Sequence, residues 1–236
     1  MTLAERIQEV QARIAAAAAE AGRDPTEVTL VAATKVQSSE TIRAAIAAGV
    51  TVCGENRAQE FTQHWQDGAY EGAKVHFIGH LQKNKLKYLV GKVDLIESVD
   101  SEELLRLIDK RARSLGIVQD ILIEVNIGGE ASKSGVAPEE AAALVALAAS
   151  LSGVQPRGLM AIPPVAQEKG GNRGVFAAMH QLFIDIKGKT YDNKVNIDCL
   201  SMGMSGDFED AIAEGATQVR VGTALFGARP ANRVNG

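Results

Sequence analysis

The sequence predicts an α/β fold: one eight-stranded (β/α)8 barrel of the TIM type, with an extra helix in front. Three observations carry this. Eight strand-then-helix units follow one another at roughly 25–30 residues each, the spacing of βα repeats in a parallel sheet. The length of 236 residues suits a barrel forming one domain, since such barrels run to roughly 250 residues. The conspicuous polar residues gather where strands end, as in barrel proteins. An open, doubly wound sheet is the alternative. No linker interrupts the chain, so residues 1–236 are expected to form one domain.

Leu3 to Gly22 is Ala-rich, with Leu3, Ile7, Val10 and Ile14 on one face. That is the leading amphipathic helix, closed by glycine. Asp24-Pro25 breaks it. Val28–Lys35 is a β-branched and small apolar run of the kind buried on both faces. Ser38-Ser39-Glu40 opens a helix that ends at Gly49. Val50–Cys53 is a short strand, followed by Gly54-Glu55-Asn56-Arg57 and a helix carrying Ala58, Phe61 and Trp65. Lys74–His80 is the third strand and Lys83–Val90 a basic helix. Asp94–Val99 is the fourth strand, with Asp100-Ser101-Glu102-Glu103 as the capped start of a helix to Ser114.

Asp120–Ile127 is the fifth strand, almost wholly apolar. Pro138 suits a helix first turn, and its helix runs to Leu151. Val154–Ile162 is the sixth strand, stopped by Pro163-Pro164. The Gly-rich Lys169–Gly174 reads as a link with little structure of its own. Val175–Ile186 is a helix and Val195–Met202 the seventh strand. Asp207–Glu214 is a short helix, Gln218–Val221 the eighth strand, and Gly222 to Gly227 follows it.

Composition narrows the function classes. The chain is 46% hydrophobic and 23% charged, with net charge −4. Such a balance offers no general attraction to nucleic acid or anionic membrane. No apolar run reaches the roughly 20 residues of a membrane span. Met1–Glu20 mixes acids with bases and lacks a signal-peptide core, so a cytoplasmic address is expected. Cys53 and Cys199 are the two cysteines, too few for a disulfide framework, and are expected to be buried thiols. The four histidines are scattered, and no His/Cys cluster has metal-ligand spacing.

Lys35 ends the first strand, Asn56 follows the second, His80 the third, Ser98 ends the fourth, and Asn126 follows the fifth. Ser201 and Ser205 follow the seventh, and Gly222 and Thr223 the eighth. The strand starts show no such set. A lysine leaving a dry strand either snorkels to solvent or becomes an amine of lowered pKa that attacks carbonyls. Barrels often bind phosphate with the loops after strands seven and eight. There Gly203, Gly206 and Gly222 let backbone N–H groups approach a ligand, and Ser205 and Thr223 add hydroxyls. The same residues also suit ordinary caps and turns. Arg220 shares a strand face with Gly222. Its partner is either a carboxylate or a ligand ring nitrogen or carboxylate. A lysine amine, a phosphate site across the barrel mouth and an arginine between them suggest pyridoxal 5'-phosphate.

These residues resemble a known family. The stretches are Leu30-Val31-Ala32-Ala33-Thr34-Lys35, Gly54-Glu55-Asn56-Arg57, His76 to Lys85, Ser201-Met202-Gly203-Met204-Ser205 and Val219 to Gly227. They are similar to those of the pyridoxal-phosphate homeostasis proteins, small fold-type III barrels related to the N-terminal domain of alanine racemase. The resemblance covers essentially the whole chain. The family keeps Asp directly after the Met-Ser turn; here Gly206 intervenes and Asp207 supplies the acid. The resemblance implies that Lys35 carries the cofactor as a Schiff base, with Asn56 beside its ring. It implies Ser205, Gly222 and Thr223 as phosphate ligands and Arg220 as the partner of the pyridine nitrogen. Ser201 joins this cofactor-binding set, and no residue is assigned a catalytic role. An arginine facing the pyridine nitrogen disfavours its protonation, which makes the ring a poorer electron sink.

Three functions are weighed. One is a regulator that stores, buffers or delivers the cofactor, with pyridoxal-phosphate enzymes as recipients and the protein as a monomer. Another is an amino-acid racemase. The resemblance implies that racemases of this fold take a second base, a tyrosine, from an extra C-terminal β-domain of the partner subunit. The chain stops at Gly236 without it, and Tyr70, Tyr88 and Tyr191 fall away from strand ends. The third is a class I aldolase-type barrel. The basic Lys83–Lys87 segment, with Lys92, is either a solvated face or a docking surface. The expectation is the regulator, not an enzyme.

Overall fold

The computed structural model describes all residues except 131–133, 165–167, 169, 190–194 and 229–236. Eight parallel strands form a closed barrel in sequence order: β1 (Thr29–Ala33), β2 (Val52–Glu55), β3 (Lys74–Phe77), β4 (Leu95–Val99), β5 (Gln119–Glu124), β6 (Val154–Met160), β7 (Cys199–Ser201) and β8 (Gln218–Val221). β1 pairs with β8 from Thr29↔Gln218 to Ala32↔Val221, which closes the ring and excludes the open sheet.

The helices are α1 (Leu3–Glu20), α2 (Ser39–Ala47), α3 (Ala58–Gln66), α4 (Leu86–Leu89), α5 (Glu102–Ser114), α6 (Pro138–Ser150), α7 (Arg173–Lys187), α8 (Phe208–Ala213) and α9 (Thr223–Phe226). α1 is the extra leading helix. Thr2 caps it in a reciprocal box with Glu5, and Ile7, Val10, Ile14, Ala17 and Ala18 are buried on one side. It packs on α8 and α9. None of the helices is long and apolar enough to cross a membrane.

Alternation along the strands sends one set of side chains outward to the helices and the other inward. Val31, Ala33, Val52 and Ile78 make one inner apolar cluster; Leu95, Leu122 and Met160 with Cys199 make another. Between them runs a polar belt of His76, Glu97, Ser201, Gln218 and Arg220. Cys53 is buried and Cys199 partly so; both are free.

Several elements differ from the sequence reading. β1 stops at Ala33, so Lys35 stands two residues past the strand, in a turn. β3 and β6 also end early, because the apolar Ile78 and Ile162 that lengthened those runs line the barrel mouth. β2 runs later than expected and takes in Glu55. β7 shrinks to Cys199–Ser201, and the Leu200 N–H bonds the Thr217 hydroxyl rather than a strand carbonyl. The basic helix becomes a 3-10 turn at Lys83–Lys85 and one α turn. Lys83 reaches across to pair with Glu103 of α5, and the chain leaves at Val90 in extended geometry. The Gly-rich link is better anchored than expected: Asn172 is buried and its amide donates to Pro164 O and to Asp207 Oδ2. Lys169 of that link and Tyr191 lie outside the described residues.

β6 holds Pro156 inside a central strand, where proline is rare except at bulges. A bulge is present: the pairing steps from Ile121↔Pro156 to Leu122↔Gly158 and leaves Arg157 over. Gly158 has φ 154, and a Cβ there would collide with the Cys199 carbonyl. The bulge therefore requires glycine.

Candidate functional site

At the C-terminal end of the barrel lies a cavity of about 290 Å³. That is near the small end of ligand pockets, about 300–1,000 Å³. Lys35, Ser205, Arg220, Gly222 and Thr223 all line it, so residues spread over almost the whole chain meet at one wall. Ile78, Ile162, Met204 and Phe226 supply the apolar surface.

Lys35 occupies a four-residue turn closed by Gln37 N–H donating to Thr34 O at 3.0 Å. The Thr34 hydroxyl donates to Glu55 Oε1 at 2.6 Å, and its N–H to Gly54 O at 2.9 Å. After Lys35 comes Val36 with φ 61, alone among the described non-glycine residues in having a positive φ. A β-branched side chain in that region costs on the order of 1–3 kcal/mol. The Val36 N–H donates to Glu60 Oε2 at 2.9 Å.

The loop after β7 turns at Gly203 (φ 91), where a Cβ would lie 2.5 Å from the Ala211 Cβ. Asp207 secures this loop by accepting from Met204 N–H at 2.7 Å and from the Asn172 amide at 2.9 Å. The acid displaced one place by Gly206 thus still organises the turn. Ser205 Oγ accepts from Gly222 N–H at 3.1 Å and from Ala224 N–H at 3.3 Å. These two amides fix the Ser205 hydroxyl at the cavity edge and fill its acceptor sites, which leaves its O–H to donate to an anion. A side chain at Gly206 would meet no protein atom within 4 Å, so the bare backbone there faces open space.

Arg220 is buried at the cavity floor. Nη1 donates to Ser201 Oγ at 2.6 Å and Nη2 to Ala161 O at 2.8 Å. Its countercharge is Glu97, with Oε2 at 3.9 Å from Nη1. Glu97 also accepts from the Ser201 hydroxyl at 2.7 Å and the Gln218 amide at 2.6 Å, and pairs with His76 Nδ1 at 2.9 Å. Burial alone would raise the Glu97 carboxyl. The His76 hydrogen bond and charge, Arg220 and Ser201 outweigh it and hold Glu97 below the ordinary carboxylate range. Burial works against the Arg220 charge, and Glu97 and Glu124 work for it. A guanidinium, with a reference pKa above about 12, stays charged in such a setting.

Glu124 follows Leu122 on the inward face of β5. One of its oxygens, Oε2, is buried without a hydrogen-bond partner. Burial, followed by the charge of Asp100, pushes its pKa up to about 7 against the pull of Arg220.

The sequence-derived set is therefore largely, but not wholly, assembled in one place. Ser201 does not line the cavity; it stands behind Arg220 with its hydroxyl fully engaged. Asn56 lines a neighbouring pocket of about 660 Å³ with His80, and its Oδ1 is buried without a partner. Ser98 is buried in β4, and Asn126 donates to Glu130 O at 2.8 Å. Sequence reasoning missed Glu97 and Glu60. Glu97 had a signal, a lone carboxylate inside the apolar run Leu95–Val99, which must find a cation. Glu60 had none, since it sits in an ordinary helix first turn. A larger groove of about 1120 Å³ runs along α1 and α8 and shares Met204 and Gly206 with the cavity. Its two arginines are already paired, Arg13 with Glu209 and Arg173 with Asp210, and so offer no cation to an anionic ligand; the smaller cavity is the better site. Among the described residues, no group of three or more His, Cys, Asp or Glu could hold a metal ion.

The model of the alanine racemase N-terminal domain family matches residues 6–230. The pyridoxal phosphate homeostasis protein of Aquifex aeolicus is 44% identical over 229 residues, covering 97% of this chain and 99% of that protein. The pyridoxal phosphate homeostasis protein of Pseudomonas aeruginosa is 42% identical, covering 97% and 96%. Among solved structures, PipY of Synechococcus elongatus with pyridoxal phosphate bound superposes with a TM-score of 0.81 at 32% identity, covering 96% of this chain and 100% of that one.

Proposed function

Because the chain belongs to the pyridoxal phosphate homeostasis protein family, within the wider alanine racemase N-terminal domain family, we propose that it binds pyridoxal 5'-phosphate in the cavity at the barrel mouth and holds it for storage, buffering or delivery. The observation that carries this is the meeting of Lys35, Ser205, Arg220, Gly222 and Thr223 around one cavity. The fit is chemical as well as spatial. The Ser205 hydroxyl already gathers two amide donors, Gly206 leaves bare backbone, and Arg220 is a fixed cation on the floor.

Pyridoxal phosphate supplies an aldehyde, with which the Lys35 amine condenses as a Schiff base with loss of one water. Ser205, Gly222 and Thr223 hold the phosphate, and Arg220 faces the pyridine nitrogen. Ser201 fixes the Arg220 guanidinium, while Asn56 lines the adjoining pocket and not this cavity. A cationic guanidinium does not give the ring nitrogen a proton, so carbanion chemistry is weakly supported. Among the described residues lining the cavity, Lys35 and Arg220 are the ionisable ones. Tyr70 is buried against Glu55, and Tyr88 sits in α4. These placements favour a carrier over a racemase. Its recipients are pyridoxal-phosphate enzymes, approached by a monomer in the cytoplasm.

The test is borohydride reduction of the loaded protein, followed by peptide mass analysis. The adduct is expected on Lys35 and is expected to vanish in Lys35→Ala. An adduct on Lys83 instead would refute the assignment. Deuterium exchange at Cα of alanine and serine by the loaded protein on the order of 1 s⁻¹ or faster would replace the carrier reading with a catalytic one.

A further inference from the structure

We propose that Glu60 is the positioning residue for Lys35, its carboxylate holding the strained turn that presents the lysine to the cavity. The inference rests on the reading of Lys35 as the covalent site. Lys35 is flanked by two anchors, both supplied by the next βα unit. On one side Glu55 takes the Thr34 hydroxyl; on the other Glu60 takes the Val36 N–H. The anchors are not equivalent. Thr34 is also held by its own N–H on Gly54 O, so it keeps its place without Glu55. Val36 stands at the third position of the turn with φ 61, where glycine or asparagine is usual. The bond to Glu60 Oε2, at 2.9 Å, offsets a conformation that valine otherwise avoids.

Glu60 is itself placed for this task. It lies in the first turn of α3, whose N-cap Arg57 makes no side-chain cap. The carboxylate turns from its own helix to the neighbouring loop. Arg57 Nη1 steadies the other oxygen, Oε1, at 3.6 Å. Without Glu60, Val36 would relax toward negative φ. The Lys35–Val36 peptide would rotate, and the Lys35 side chain would leave its line of approach.

The variants to compare are Glu60→Ala, Glu60→Gln, Val36→Gly and Val36→Gly/Glu60→Ala. Each full-length apoprotein is mixed with pyridoxal phosphate, and the visible Schiff-base band and the borohydride-trapped fraction on Lys35 are followed. Glu60→Ala is expected to slow adduct formation about tenfold or more, the scale of one lost hydrogen bond of this kind. Glu60→Gln keeps an acceptor oxygen and is expected to stay close to wild type. Glycine adopts positive φ freely, so in the Val36→Gly background removal of Glu60 is expected to change nothing further. A role confined to α3 stability would lower the melting temperature equally in both backgrounds and leave adduct formation untouched. Adduct formation at the wild-type rate in Glu60→Ala overturns the inference, as does an undiminished Glu60→Ala defect in the Val36→Gly background. Absence of a Lys35 adduct in the wild-type protein would instead refute the proposed function itself, so the two failures are distinct.

Discussion

Glu97 and Glu124 come from adjacent strands of one barrel, both buried, and the barrel treats them in opposite ways. Glu97 has His76, Ser201, Gln218 and Arg220 around it and is held ionised. Glu124 has one oxygen without a partner and is pushed up to about 7. The protein interior thus has no single proton affinity for a carboxyl group. The count of donors within reach decides whether a buried acid keeps its proton.

The comparison breaks most visibly at Glu97. Replacing Glu97 by alanine leaves Arg220 buried without its countercharge. The expected loss is about 3–5 kcal/mol of stability, read from urea unfolding. A loss below about 1 kcal/mol, the scale of an exposed pair, would mean that water or another group already neutralises Arg220.

Glu124→Gln is expected to act with the opposite sign. The folded-state pKa of about 7 lies above the ordinary glutamate value of 4.5. The folded protein therefore holds a proton that the unfolded chain releases between those values. The Glu124 contribution is fully present below pH 4.5 and is lost as pH rises through 7. The glutamine variant does not titrate, so it is expected to be the more stable at pH 8, by up to about 3 kcal/mol, with the gap closing toward pH 4. Glu97, with its depressed value, has the reverse dependence: its stabilisation is present above the ordinary carboxylate range and fades in acid. Equal gaps at pH 4 and pH 8 would show that Glu124 stays in one protonation state throughout.

The smallest effect is expected at Ser201→Ala, which removes the hydroxyl shared by Glu97, Gln218 and Arg220. The cost is about 1–3 kcal/mol. If Ser201 acts on the cofactor only through Arg220, the variant shifts the absorbance of the bound cofactor while borohydride still places the adduct on Lys35. An unchanged spectrum would reduce Ser201 to a core hydroxyl.

The barrel was legible because its units repeat and because each strand is bounded by turn or capping residues, as at Asp24-Pro25 and Ser38. The strand ends were less so. Apolar residues that shape the mouth, Ile78 and Ile162, look the same in sequence as residues of a strand. The β6 bulge was hidden because Pro156 and Gly158 read as weak strand residues until Cys199 is set beside them. Lys35, Ser205, Arg220, Gly222 and Thr223 meet at one cavity because strand ends of a barrel converge. Asn56 stands at a strand end as expected yet lines the adjoining pocket, because adjacency along the rim does not fix which way a side chain turns. Glu60 was invisible because its task depends on the φ of Val36, which no residue pattern encodes.

The packing of α1 has a consequence in time. α1 packs chiefly on α8 and α9, with smaller contacts to the Pro25–Glu27 turn and α2, and Arg6 Nε donates to Leu225 O at 2.5 Å. β1 likewise waits for β8 to close the ring. During synthesis about 200 residues separate Ile7 from its cover, a delay of roughly 10–40 s at about 5–20 residues per second. Through that interval the apolar stripe of Ile7, Val10 and Ile14 lacks the larger part of the packing that α1 has in the folded barrel. A helix made before the barrel strands is among the last elements to be fully packed, and the ribosome sets the earliest moment at which this barrel can close.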